Sequence, residues 1–240
     1  MKLLITQPTF LPWIGYFDLI DNSDVVVFLD DVQFEKRSWQ QRNRIITKNG
    51  FLWLTIPVKV KSKRNQLIKD VFIDENQINL QKIKKTIIHN YIHSKYFNVY
   101  QEKFFEIFSE CLKNNSLLNL NLSLIFWLLK ILKINKKIYL SSEFNLKSKS
   151  TQKLVDILNI LKIDNYLSTS GSKLYLEEDK NIIQANKINI FLHNYKHPVY
   201  NQCYEPFTNY ASIIDLLFNE GDDSYKILKS GSSKFTKLLL

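Results

Sequence analysis

Arginine is nearly missing from this chain: of 33 lysines and arginines only four are arginine, and three of these, Arg37, Arg42 and Arg44, lie within eight positions of one another. A chain that otherwise writes positive charge as lysine keeps guanidinium groups here, where a planar fork of donors grips carboxylate or phosphate bidentately and an ammonium cannot. The cluster predicts an anion site; the competing reading is a set of ion pairs to Asp30, Asp31 and Glu35. Cysteine is equally scarce. Cys111 and Cys203 form neither a metal-ligand spacing nor a disulfide framework, which suits a reducing compartment. Long apolar runs are lacking too, stretches such as residues 124–132 being too short to cross a bilayer. Residues 3–5 run straight into Gln7 and Pro8 with no leader pattern, so a cytoplasmic location is expected. No Walker-type loop and no Gly-x-Gly-x-x-Gly occurs, which argues against a P-loop or Rossmann dinucleotide site.

Glycine and proline number five each. Pro8, Pro12, Gly15, Gly171, Pro198 and Pro206 fall in stretches that read as loops beside strands, where they set backbone shape and allow close approach of a ligand. What the chain has in quantity is apolar side chains, 45% of the total with 13% aromatic, which exclude disorder and allow a large core. The formal charge of +10 is concentrated in residues 61–150, with 16 basic against 7 acidic side chains. Such a basic face could meet nucleic acid, an anionic membrane or an acidic partner. No arginine-rich, aromatic-interleaved motif accompanies the lysines, so nucleic acid is not the expected partner.

Residues 2–6 and 25–29 are continuous apolar runs, the pattern of strands buried on both faces of a parallel sheet, with a short helix over 13–21 between them. Further strands are expected at 51–60, 71–73, 137–140, 166–169 and 188–193. Helices are expected at 77–93, 97–113, 116–133, 151–161, 177–186 and 212–219, the last ending at Gly221, and the final ten residues read as loose. The alternation predicts one α/β domain over residues 1–240, a three-layer parallel sheet carrying a lysine-rich, mostly helical insertion at about residues 75–135. Ligands of such sheets lie outside the carboxyl ends of the strands, which places residues 7–13 and 30–33 at the site.

Residues 7–16 (Gln-Pro-Thr-Phe-Leu-Pro-Trp-Ile-Gly-Tyr), with Asp30-Asp31-Val32-Gln33-Phe34 and Trp39-Gln40-Gln41-Arg42-Asn43-Arg44-Ile45, closely resemble the WbqC-like protein family. So do residues 170–176 (Ser-Gly-Ser-Lys-Leu-Tyr-Leu), His197-Pro198-Val199-Tyr200-Asn201-Gln202, Phe207 and the stretch 212–221, in the family's order over nearly the whole chain. The resemblance implies a role among bacterial O-antigen and other surface polysaccharides, in making or decorating an activated sugar. A weaker similarity is to pantothenate synthetase and its nucleotidyltransferase relatives, through the first loop, the Val25-Val26-Val27 strand and Ser168-Thr169-Ser170-Gly171-Ser172-Lys173. It implies a nucleotidyltransferase/HUP-like fold. The paired histidines that hold ATP phosphates in those enzymes correspond here to Pro12 or Trp13 and to Tyr16, which puts adenylyl transfer in doubt.

For a sugar-nucleotide ligand, Arg37, Arg42 and Arg44 supply bidentate cations and Lys173 a point charge. Gln7, Gln33, Asn43 and Gln202 supply paired donors and acceptors, and Trp13, Tyr16 and Trp39 flat apolar surface. Ser170, Tyr175 and Tyr200 join them from the family-like blocks. Forming an amide on an amino sugar needs a base, for which His197 is the first candidate and Asp30 and Asp31 the carboxylate alternatives. His89 and His93, at i, i+4, lack a nearby carboxylate to complete a metal site, and no metal is expected. Cys203 could accept an acyl group but carries no mark of a thiolate. The expected reaction is acyl or aminoacyl transfer from acyl-coenzyme A or another donor to a nucleotide-linked amino sugar. The rivals are an ATP-dependent ligase and a noncatalytic protein associated peripherally with membrane glycosyltransferase machinery.

Overall fold

A computed structural model describes residues 1–59 and 65–239. Five parallel strands form the centre: β1 (Lys2–Thr6), β2 (Val25–Phe28), and, later in the chain, β5 (Lys137–Leu140), β6 (Asn165–Thr169) and β7 (Asn189–His193). The sheet order is β5-β2-β1-β6-β7, closed at one edge by β8 (Thr236–Leu238), which pairs antiparallel with β7. The chain thus moves outward from β1 in one direction, returns, and moves outward in the other, so the order reverses between β1 and β6.

Period-two alternation buries both faces, as the apolar runs require. Leu3, Ile5, Val25 and Val27 pack with Leu154, Ile157 and Leu158 of α5 (Ser150–Leu161) and with Leu176 and Ile183 of α6 (Lys173–Glu178) and α7 (Lys180–Ala185). Leu4, Val26, Phe28 and Leu167 face the other way. They meet α1 (Ile14–Asp21), α4 (Leu117–Ile131), α8 (Ile213–Glu220) and α9 (Ser224–Ser230). Helices therefore cover both faces of a mostly parallel sheet.

Between β2 and β5 lie an antiparallel hairpin, β3 (Arg42–Thr47) and β4 (Gly50–Thr55), and the helices α2 (Leu80–Tyr91), α3 (Phe97–Lys113) and α4. Asn79 and Ser116 start α2 and α4 by accepting from the amides of Lys82 (2.8 Å) and Asn119 (3.2 Å). The helical segment is not set apart from the sheet. Leu120 and Leu124 of α4 join a core with Phe10, Ile45, Phe104 and Phe218, while Ile125, Leu128 and Leu129 of the same helix pack on the sheet.

Several expectations need correction. The strand expected over 51–60 starts one residue earlier at Gly50 and ends at Thr55, with Val60 outside the described residues. Its partner β3 occupies the arginine-rich stretch. Residues 71–73 make only isolated bridges, Ile73 to Val58 and Phe72 to Ser116. The helix expected at 177–186 is two short ones hinged at Asp179. Gly15 lies in the first turn of α1, not in a loop, and glycine is needed there because the Trp13 ring occupies the space a Cβ would fill, 2.2 Å away. Residues 236–238, expected to be loose, form β8, which pairs with β7, and Leu238 packs against the core.

Candidate functional site

The segment after β1 is fastened over the carboxyl edge of the sheet from three sides. Phe10 and Leu11 are fully buried, and the Asn43 side-chain amide donates to both of their carbonyls (3.1 and 2.7 Å). Asn121 of α4 donates to the carbonyls of Pro8 and Gln40 (3.1 and 2.8 Å), while the Ile213 amide donates to Pro12 (2.9 Å). Gln40 donates to the Gln7 side chain at 2.8 Å, and the Tyr16 hydroxyl to the Gln7 carbonyl at 2.9 Å. These hydrogen bonds fix the loop against β3, α4 and α8, which is what a preorganised site needs.

Three clefts follow that edge. The first, about 310 Å³, opens at the reversal of strand order, between Thr6 and Gln7 at the end of β1 and Ser168, Thr169, Gly171 and Ser172 at and beyond the end of β6, with Tyr175 also in its lining. Its lining has hydroxyls and an amide but no charged side chain. The second, about 350 Å³, is walled by Trp13, Tyr16, Trp39 and Tyr210, with Asn43 and Arg44. The third, about 560 Å³, is lined by Ser170, Tyr195, Lys196, His197, Asn209 and Tyr210. Tyr210 borders both the second and the third, and Ser170 adjoins the Gly171 loop of the first.

The arginines divide. Arg42 and Arg44 alternate on β3 and share one face, where Arg42 Cζ lies 4.3 Å from the Trp53 ring centroid. Arg44 Cζ lies 4.1 Å from Phe51 and 5.4 Å from Trp39. Stacking on aromatic faces costs the guanidinium none of its in-plane donors. Among the described residues the Nε–H groups of both are buried with no partner, and Arg44 Nη2 donates to the Tyr210 carbonyl (3.3 Å). Burial pulls Arg44 below its ordinary value, and it remains a cation. Arg37 is exposed, in a left-handed conformation (φ 62°), and lines none of these clefts.

Asp30 and Asp31 do not face the arginines. Asp30 accepts from Ser141 Oγ, Ser142 N and Ser142 Oγ (3.1, 2.9 and 2.6 Å), and Asp31 accepts from Ser141 and from Lys153 Nζ at 2.7 Å. Burial would raise the Asp31 carboxyl, but the Lys153 and Ser141 hydrogen bonds and the Lys153 charge together hold it below the usual carboxylate range. Both carboxylates tie the end of β2 to α5 and the turn after β5. Asn43, Gln202 and Tyr200 are committed as well. Asn43 spends its amide on the first loop, and Gln202 bonds to Thr208 and Asp215, as Tyr200 does to Asp215 (2.8 Å). Burial raises the Tyr16 and Tyr200 hydroxyls far above their ordinary range. Gln33 is exposed and its backbone pairs with Leu67; Lys173 is exposed beside Glu177.

His197 does converge with the arginine side. Its ring stacks on Trp13 (6.2 Å, 14°) and meets Tyr200, Phe207 and Tyr210. Burial lowers its pKa against the opposing pull of the Pro198 carbonyl. In the neutral ring Nδ1 donates to that carbonyl (2.9 Å), leaving the lone pair on Nε2, which is buried without a partner. Cys203 contacts Ser94 Oγ and Asn219 Oδ1, and burial pushes its thiol up, away from a thiolate.

A family model described as the WbqC-like protein family matches residues 7–227. The chain belongs to the WbqC-like family. It is 30% identical over 229 residues to "Uncharacterized protein Rv1507c" of Mycobacterium tuberculosis (strain ATCC 25618 / H37Rv), an alignment covering 95% of this chain and 97% of that protein. No solved structure matches it.

Sequence reading missed one member of this WbqC-like site. Tyr210 carries no motif signal and enters only because the 200–210 segment folds back over Trp13. Buried Asp18, whose Oδ2 lies 2.7 Å from His193 Nε2, was also unmarked; it braces α1 against the end of β7.

Proposed function

We propose that this WbqC-like protein forms an amide on a nucleotide-linked amino sugar during synthesis of a bacterial surface polysaccharide, using an acyl or aminoacyl donor. The observation that carries this reading is the Arg44 guanidinium, stacked against Trp39 and Phe51 and lining a cleft walled by Trp13, Tyr16, Trp39 and Tyr210. A pyranose stacks on such rings, and a diphosphate takes a guanidinium's paired donors. The charge-free cleft at the strand reversal suits an uncharged moiety such as a nucleoside. In the transfer the sugar amine forms a C–N bond to the donor carbonyl carbon while the bond to the leaving group breaks. With a thioester donor the amine's proton leaves with the thiolate. His197 serves as a positioning residue through its stack on Trp13, since its Nε2 is enclosed.

The strand order and the hydroxyl-lined crevice favour a second reading, an ATP-dependent ligase on a nucleotidyltransferase/HUP-like scaffold. That ligase would need Lys173 to leave Glu177 for the phosphates. Calorimetric titration with UDP-, GDP- and dTDP-amino sugars, ATP and acyl-coenzyme A separates these readings. For the leading one, Arg44→Lys weakens the preferred sugar nucleotide about tenfold or more, with an unchanged melting temperature. Equal affinity in the variant would overturn it. Binding of ATP alone would favour the ligase, and binding of none a noncatalytic assembly role.

A further inference from the structure

Beyond the hairpin turn a groove of about 980 Å³ runs between residues 47–52 and α2, with Tyr204 closing one end. Its apolar surface comes from Phe51, Leu52, Ile88 and Ile92, of which Phe51, Leu52 and Ile92 are 39%, 41% and 48% exposed. Its cations are Lys48 on the turn and Lys85 of α2; His89 of α2 and His93, just past the end of that helix, follow Lys85 at four-residue spacing and offer ring N–H donors. No carboxylate lines the groove, and none pairs with any of these four among the described residues. The histidine pair has no third metal-type ligand among the described residues either. Bare apolar surface beside unpaired positive charge is the chemistry that receives an amphipathic anion.

We propose that this groove docks the protein on an anionic bilayer, a phospholipid phosphate seating among Lys48, Lys85, His89 and His93 while the hairpin tip enters the acyl boundary. Charge complementarity names the occupant. Exposed Trp53 (42%) on β4 adds to the apolar surface of the hairpin the residue type that settles at headgroup level. Residues 61–150, the sequence interval that includes α2, carry the chain's excess of basic side chains, which favours a negative leaflet. The groove adjoins the cleft at the sheet edge, since its Phe51 stacks on Arg44, and a bilayer-bound protein would hold that cleft near membrane-linked products whatever reaction it performs.

Co-sedimentation of the full chain with vesicles tests this. Wild type should bind phosphatidylcholine vesicles containing phosphatidylglycerol, release at high salt, and ignore pure phosphatidylcholine. Lys48→Glu with Lys85→Glu should lower the partition coefficient about tenfold or more, whereas Lys180→Glu with Lys187→Glu, exposed lysines on and just beyond α7, should lower it much less. Ile92→Ser should weaken binding and leave its salt dependence in place. Failure to bind anionic vesicles, equal binding to phosphatidylcholine, equal loss in both charge-reversal pairs, or full competition by inorganic phosphate would each overturn the proposal. Circular dichroism of these surface variants distinguishes lost binding from lost folding.

Discussion

Asp215 shows how one buried carboxyl sets the behaviour of its surroundings. It is fully buried on α8 and accepts from Tyr91, Tyr200 and Gln202 at 2.9, 2.8 and 2.8 Å. Burial raises its pKa to about 6, against the lowering effect of those three donors. A carboxyl raised in this way favours the folded state at low pH, fully so below its unfolded value near 3.8, and that contribution fades as pH rises through about 6. Lowering the pH from 7.5 to 5 should therefore add roughly 1.4 kcal/mol to wild-type stability through this group. In Asp215→Asn that increment should be gone. Denaturant unfolding of both proteins at the two pH values reads the difference. His197, held low, works the other way by losing stability as pH falls below its unfolded value, but it is common to both proteins and cancels. A matching pH response in the two proteins would show that Asp215 is ionised throughout.

At the scale of elements, the Asp31–Lys153 contact joins the end of β2 to α5, with side chains only 10% and 5% exposed. Removing one partner of a buried pair strands the other's charge, which costs more than the pair was worth. Lys153→Met should lower unfolding free energy by about 3 kcal/mol, and adding Asp31→Asn should recover part of it. Chemical denaturation checks both. The sequence had placed these aspartates before the arginines because both fall within fifteen residues of each other. Chain proximity misled because residues 32–41 turn away, and the serines after β5 arrive from over a hundred positions later. The hairpin was half legible for a related reason. Its period-two pattern is masked by Arg42 and Arg44, whose face packs against Trp39, Phe51 and Trp53 instead of the main core.

For the molecule as a whole, β8 is a device of topology. Thr236–Leu238 covers the edge of β7, which would otherwise present unpaired backbone groups to other chains. A chain ending at Gly231 should self-associate with rising concentration, as light scattering would show; a monodisperse truncated protein would mean that the edge is protected in another way. The helical segment belongs to the same scale. Its lysines and helical period mark it as an insertion in the sequence, and α4 packs its two faces into two cores at once.

By itself the sequence determined the strands of the parallel sheet, the helices of the middle segment and membership of a family, because burial on both faces, 3.6-residue periodicity and collinear motifs are local properties of the chain. It also singled out Trp13, Arg44 and His197. Only tertiary structure decided that these three border neighbouring clefts through Tyr210, while Asp30, Asp31, Asn43, Tyr200 and Gln202 spend their polar atoms holding the frame. The physical reason is competition for hydrogen bonds. A buried polar group must find a partner, and whether that partner is a ligand or a distant segment of the same chain is fixed only when the segments meet.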